Sequence, residues 1–436
     1  MKKLICICLS VILAFSAVSA VVYAASAVLL GDVTSDEKVD MKDMLLMKNR
    51  IEKVVGNSSI NFTNSDVNAD GKINELDAQM IRAHLSKEKE FGDVNVYSMD
   101  GIADCMNLYG RAVLSGSSVL LSQTASGIEF IADCEGDIQL SLTTATSGKL
   151  SITVDDDYEN IKTIDVKSTK AKYTFGLELE KGKHRILIQK ATEWSLNSLY
   201  TINSVTLVGS VVDEKPEAKP YKIEFYGDSI TSGYGNLTTN GTSSAGNWNY
   251  QNGCQTYATY VAQALNADYA IASASGHGVL GGYSGYTQTY DKYFDYSVVS
   301  DKTAWSRKDY DADLIVINFG SNDNSREGNN LDVDAFVAKS SEIIEGMHKD
   351  NADAQILWVI GMNYVSSSAP VITALKQLEE KYDYVTFYKS VNRQSGGDAH
   401  PSVADHKVLA GYLTDYIKST YTSIFGAEES SSVAGE

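Results

Sequence analysis

The chain has 436 residues, with 37 Lys and Arg against 56 Asp and Glu, a net charge of -19 and 43% hydrophobic residues. That length accommodates two or three domains with at least one sizeable core, which excludes a small scaffold held by staples. The acidic balance argues against nucleic acid or another polyanion as partner, because phosphate repulsion would oppose the first contact. At the N-terminus, Lys2-Lys3, an apolar run from Leu4 to about Val22 and small residues at Ala24, Ala25 and Ala27 read as an export signal within residues 1–27. The run is long for a signal, so an uncleaved anchor helix is the alternative. No other apolar stretch is long enough to span a membrane. With Cys6 and Cys8 removed in the signal, Cys105, Cys134 and Cys254 remain, an odd number that permits at most one bridge and forms no zinc motif.

Residues 32–85 contain an internal duplication. The first copy places Asp32, Thr34, Asp36, Lys38, Asp40 and Asp43 at positions 1, 3, 5, 7, 9 and 12 of a loop; the second places Asp66, Asn68, Asp70, Lys72, Asn74 and Asp77 there. A hard cation such as calcium needs six to eight oxygens, and this spacing supplies side-chain oxygens with a backbone carbonyl at position 7. An apolar-periodic helix follows each loop, carried by Met44, Leu45, Met47 and Ile51 and by Met80, Ile81 and Leu85.

Two copies with Asp at position 12 resemble a type I dockerin, the module that plugs secreted plant-wall enzymes into cohesin domains of a scaffold protein. The resemblance implies structural calcium and a cohesin partner. The second loop matches throughout, including Gly71 at the sharp turn, whereas the first has Thr34 as a poorer ligand and Glu37 where the family has glycine. Loop positions ten and eleven, which select the cohesin in that family, are Met41-Lys42 and Glu75-Leu76.

After a charged linker the pattern changes. Between about Gly92 and Val212, short alternating runs such as 118–121, 127–131, 137–142, 149–154, 185–189 and 204–208 predict an antiparallel β-sandwich. Nothing in these strands marks a sugar-binding face, so the sandwich reads as a structural partner of the next domain. Pro216 and Pro220 mark a boundary, beyond which strands at 222–226, 267–272, 314–319, 355–360 and 385–388 alternate with helices at 256–265, 333–349, 370–381 and 402–420. This order predicts a parallel sheet with helices on both faces and chemistry at the carboxyl ends of its strands.

The chemistry-bearing residues fall at those ends. Gly227-Asp228-Ser229 follows the first strand, Gly276 the second and Asn322 the third, while Asp398 and His400 precede the last helix. Together they offer a nucleophilic Oγ on Ser229, backbone N–H groups at Ser229 and Gly276, an amide donor on Asn322 and an imidazole base on His400, the parts of an acyl-transfer site.

These four blocks, in order across about two hundred residues, resemble the SGNH or GDSL-like hydrolases. With the preceding sandwich, the chain looks most like carbohydrate esterase family 2, whose members remove O-acetyl groups from plant polysaccharides. The resemblance implies Ser229 as nucleophile, His400 as general base, an oxyanion hole of Ser229, Gly276 and Asn322, and no catalytic cofactor. Related readings are an esterase for longer acyl chains and a glycan-binding protein on the same fold. Asp398 lies two residues before His400 instead of the family's three, so it either orients the imidazole or serves the loop; a Ser–His dyad with the histidine held by a backbone carbonyl is the other arrangement known in family 2. Trp248 and Tyr364 are the first choices for stacking on a sugar ring, ahead of Tyr250, Tyr283, Tyr286 and Trp305. His84, His184, His348 and His406 read as solvated or helix-end residues.

The expected organisation is a signal peptide at 1–27, an α-helical calcium-binding dockerin at 28–87, a linker at 88–91, an all-β jelly-roll sandwich at 92–212, an α/β SGNH domain with a flavodoxin-like three-layer parallel sheet at 213–425, and a disordered tail at 426–436. A protein so built would be secreted, would act on acetylated plant polysaccharide and would join a cellulosome through a cohesin.

Overall fold

The structure, a computed structural model, describes residues 29–68, 71–86, 94–193, 198–242, 247–283, 289–290, 293–326 and 330–426. The predicted signal, linker and tail beyond Gly426, together with Asp70 and Tyr286, lie outside the described residues.

Both duplicated segments end in helices, Met41–Ile51 and Glu75–Leu85. Each begins with a capping box, Asp40 with Asp43 and Asn74 with Asp77, so the residue at loop position 12 also satisfies an N-terminal backbone N–H. Met47 and Ile81 fill a small core with Val33 and Val67, which also takes in Val94 and Val208 of the sandwich. Leu45, predicted on the apolar stripe, is 61% exposed; the stripe is narrow because the core is small.

The alternating runs form a 10-stranded antiparallel sheet folded around one core. Two strands predicted separately, 127–131 and 137–142, are one strand, Gly127–Thr144. The register slips between Cys134 and Gly136, where Gly136 has φ +79°, and that irregularity bends the strand without ending it. Cys105, Cys134 and Cys254 are all free thiols.

Beyond Pro220, strands Tyr221–Gly227, Ala267–Ser273, Leu314–Asn318, Gln355–Ile360 and Val385–Lys389 pair in parallel. Their spatial order is second, first, third, fourth, fifth, the flavodoxin-like arrangement. Because successive side chains point to opposite faces, Phe225, Val316 and Leu357 meet helices Tyr257–Ala264 and Val403–Thr420, while Tyr226, Ile317 and Trp358 meet Val333–Asp350 and Pro370–Lys381. The strand order reverses between the first and third strands, and the crevice between their carboxyl ends is where this topology places a site.

The sandwich is built into the second domain. Tyr109, Ala125, Leu187 and Ala191 belong to the same core as Phe225 and Tyr257. Polar contacts join the pair as well: Gly253 N–H donates to the Ala191 carbonyl at 2.7 Å, and Ser273 Oγ lies 3.1 Å from Thr124 Oγ1.

Candidate active site

The first parallel strand ends at Gly227 and runs at once into the short helix Ser229–Ser232, capped by Asp228, whose Oδ1 accepts the Ile230 N–H at 3.0 Å. The glycine is needed for closeness: a Cβ at Gly227 would sit 2.0 Å from Thr231 Oγ1. This turn brings the Ser229 hydroxyl, 8% exposed, to 2.8 Å from His400 Nε2.

His400 is held from its other nitrogen. Nδ1 lies 2.9 Å from the main-chain carbonyl of Asp398, which can only accept, so Nδ1 carries the proton and Nε2 faces the Ser229 hydroxyl as acceptor. The Asp398 carboxylate is elsewhere, accepting from the Tyr234 hydroxyl at 3.0 Å. Asp398 has φ 48° and ψ 43°, a left-handed conformation that aims its carbonyl and its side chain apart. The geometry is thus that of the dyad arrangement, with the imidazole held by a backbone carbonyl while the Asp398 carboxylate serves the loop through Tyr234. The Tyr234 ring packs against the imidazole with centroids 4.6 Å apart. Burial lowers the His400 pKa, opposed by the Asp398 carbonyl and charge, which favours the neutral imidazole.

The second strand leads to Gly276, whose φ of +75° is readily reached only without a side chain. Asn322, in the short helix Ser321–Arg326 after the third strand, has its amide nitrogen 2.8 Å from the His277 carbonyl and 3.2 Å from Asp228 Oδ2. Asp323 accepts N–H groups from Val279, Leu280 and Gly281 at 3.0, 2.7 and 3.3 Å, tying the second loop to the third. Burial pushes the Asp228 carboxyl up to about 7, against the Ile230 N–H that favours its charged form and with the Asp323 charge adding to the rise.

The aromatic candidates separate. Tyr364 is 74% exposed just beyond the fourth strand, next to Asn363, whose Oδ1 lies 3.3 Å from Ser321 Oγ beside Asn322. Trp248 is half-buried with the Lys149 ammonium 5.6 Å from its ring centroid, so it lies against the sandwich. Trp305 bonds Glu224 and stacks beneath Arg111, in a buried charge cluster, which removes it from the sugar-stacking candidates. Two histidines also depart from expectation. His406 is fully buried and accepts the Tyr257 N–H at 3.1 Å; burial draws its pKa down to about 3. His184 lies within strand Leu179–Lys190 and pairs with Asp155 at 2.8 Å.

In the first loop of the duplication, ligand oxygens of Asp32, Asp36 and Asp43 lie within 4.8 Å of one another, with Asp32 and Asp43 buried. Carboxylates gathered this closely fit a hard cation that would neutralise them. Thr34 Oγ1 is 3.0 Å from Asp43 Oδ1, Asp40 N–H donates to Asp43 Oδ2 at 2.7 Å, and Lys38 would contribute its carbonyl. In the second loop Asp66 and Asp77 are buried, Asp77 receiving the Val67 and Asn74 N–H groups at 2.9 and 2.8 Å and Asp66 the Gly71 N–H at 2.8 Å. Asn68, Lys72 and Asn74 stand at the remaining described positions.

Residues 30–86 match the model of the dockerin type I domain, and residues 225–414 match that of the GDSL-like lipase/acylhydrolase family. Over 254 residues the chain is 30% identical to a cellulase/esterase, CelE, of Acetivibrio thermocellus, a match covering 55% of this chain and 30% of that protein. It is 27% identical over 267 residues to an acetylxylan esterase / glucomannan deacetylase of Cellvibrio japonicus, covering 55% and 70%. The chain thus spans under a third of the first relative's length. In structure it is similar to a family two carbohydrate esterase from Clostridium thermocellum in complex with cellohexaose, with a TM-score of 0.67, 24% identity, and 73% of this chain and 99% of that one covered. By these matches residues 30–86 resemble a type I dockerin and residues 225–414 a GDSL-like lipase/acylhydrolase, and the sandwich and α/β domain together share the fold of the family two carbohydrate esterase.

Proposed function

We propose that this chain is a secreted carbohydrate O-acetyl esterase that releases acetate from plant polysaccharide and is tethered by its dockerin to a cohesin of a scaffold protein. The observation that carries the activity is the 2.8 Å contact between Ser229 Oγ and His400 Nε2 at the carboxyl edge of the sheet. Ser229 attacks the acetyl carbonyl as His400 takes its proton. The Ser229 and Gly276 N–H groups and the Asn322 amide face the oxyanion, and His400 then protonates the departing sugar oxygen. Water, activated by His400, frees acetate in the second half. Tyr364 offers an exposed face for a pyranose, and the likeness to the acetylxylan esterase / glucomannan deacetylase of Cellvibrio japonicus supports such a substrate.

The test is acetate release from acetylated xylan and acetylated mannan, beside p-nitrophenyl acetate and octanoate. Ser229→Ala is expected to lower kcat on the acetate ester by about 10³-fold or more. A Ser229→Ala protein that keeps its rate would sink the nucleophile, and faster cleavage of octanoate would point to longer acyl chains.

Calcium belongs in this reading to the dockerin alone, held by Asp32, Asp36, Asp40, Asp43 and Thr34 in one loop and by the matching residues of the other. Chelation with EDTA is expected to reduce the far-ultraviolet helical signal of the full chain while p-nitrophenyl acetate hydrolysis stays unchanged. Loss of the ester activity on chelation would contradict that assignment.

A further inference from the structure

The esterase domain does not supply every group that arranges its site. Glu193 lies three residues past the end of sandwich strand Leu179–Lys190 and is 1% exposed. Its carboxylate accepts the Ser275 N–H at 2.7 Å and the Ser232 hydroxyl at 3.3 Å through one oxygen, and the Gln251 side-chain amide at 2.9 Å through the other. Ser275 immediately precedes Gly276, and Ser232 lies three residues beyond Ser229 in the same helical turn. A single carboxylate from the sandwich is therefore fastened to both the nucleophile turn and the loop that presents the Gly276 N–H.

The segment that carries Glu193 is itself fixed. Gly253 N–H donates to Ala191 O, and the buried Lys190 ammonium bonds the Thr192 carbonyl beside the Tyr200 ring. A buried carboxylate with several donors is costly to move, since any displacement strands a desolvated charge. Its position is thus transmitted to the loops it holds.

We propose that Glu193 is a positioning residue for acyl transfer, through which the sandwich sets the distance between the Ser229 hydroxyl and the Gly276 N–H. The inference rests on the reading of Ser229, Gly276 and His400 as an esterase site. The charge has a function there: His400 becomes an imidazolium during attack, and its Nδ1 faces a neutral carbonyl instead of a carboxylate. Burial lowers the His400 pKa, and the Glu193 charge is among the groups that oppose this.

The experiment compares wild type, Glu193→Gln and Glu193→Asp in the full chain, reading kcat, KM, the pH profile of kcat/KM and the melting temperature with p-nitrophenyl acetate. Glutamine matches the size of Glu193 but removes its charge and turns an N–H₂ toward existing donors. The expected result for Glu193→Gln is a kcat lowered about tenfold or more, a KM within about twofold and an acid limb moved to lower pH. The acid limb moves down because a negative charge that favours imidazolium has gone. The Glu193 carboxylate bonds Ser232, Gln251 and Ser275, and the titratable groups that feel its charge are Lys190 and His400, of which His400 must be neutral as the base. Glu193→Asp keeps the charge on a shorter arm, so its acid limb returns toward wild type while its kcat stays low; it carries the same test if the glutamine variant does not fold. A folded Glu193→Gln enzyme with unchanged kcat and acid limb overturns the proposal, as does a loss that follows the melting temperature with no movement of the limb. Absence of Ser229-dependent activity in the wild type would instead overturn the esterase reading, so the two failures are distinguishable.

Discussion

Asp398→Asn is expected to keep kcat on p-nitrophenyl acetate within about threefold of wild type, while His400→Ala loses about 10³-fold or more. The contrast follows from which atom holds the imidazole. His400 Nδ1–H donates to the Asp398 backbone carbonyl, which the substitution retains, and the carboxylate it removes serves Tyr234 instead. Asparagine is the informative replacement because it tolerates the left-handed backbone at φ 48°, where alanine would add strain. The pH profile gives a second readout. His400 must be neutral to accept the Ser229 proton, and burial lowers its pKa below 6.5, so the acid limb of kcat/KM lies below pH 6.5. The Asp398 charge opposes that lowering, so Asp398→Asn moves the limb further down. Equal collapse of both variants would mean that the carboxylate orients the base during turnover.

Asn322→Ala is expected to reduce kcat by about 10²–10³-fold with a much smaller change in KM. A side-chain amide has two N–H bonds. In the structure they meet the His277 carbonyl at 2.8 Å and Asp228 Oδ2 at 3.2 Å. To donate to an oxyanion one of these bonds must be given up, and the longer one, to Asp228, is the weaker. An interaction made more strongly in the transition state than in the resting enzyme lowers the barrier, which is why the loss should fall on kcat. Asn322→Asp should lose at least as much, because it replaces a donor by a like charge. Steady-state kinetics of the two variants decide the matter: a loss under about threefold in either would remove Asn322 from the oxyanion site.

Much of this arrangement was legible in the chain because its carriers are local. The five parallel strands were placed within a residue or two by unbroken apolar runs such as Leu314-Ile315-Val316-Ile317, and a sheet of that kind brings its carboxyl ends together. Ser229, Gly276, Asn322 and His400 each stand beside a strand end or a helix start, so topology alone gathers them. What escaped depends on geometry that residue types do not encode. The role of the Asp398 carbonyl follows from a backbone angle at one residue. His406 sits on a helix whose pattern leaves its face ambiguous, and only packing against Tyr257 buries it. Glu193 had no local signal, since Lys190-Ala191-Thr192-Glu193 reads as the polar end of a strand and its partners lie tens of residues away. The merged strand Gly127–Thr144 was hidden because its central Asp133–Gly136 resembles a turn in composition.

The core shared by the sandwich and the α/β domain bears on whether either can stand alone. Tyr109, Ala125, Leu187 and Ala191 fill space among Phe225, Tyr257 and Tyr269, so cutting at the proline-marked boundary would bare an apolar flank on each fragment. The two domains are accordingly expected to unfold together as one cooperative unit. Among the described residues the small core of the N-terminal helices takes in Val94 and Val208 of that unit, so removing those helices is expected to uncover far less apolar surface.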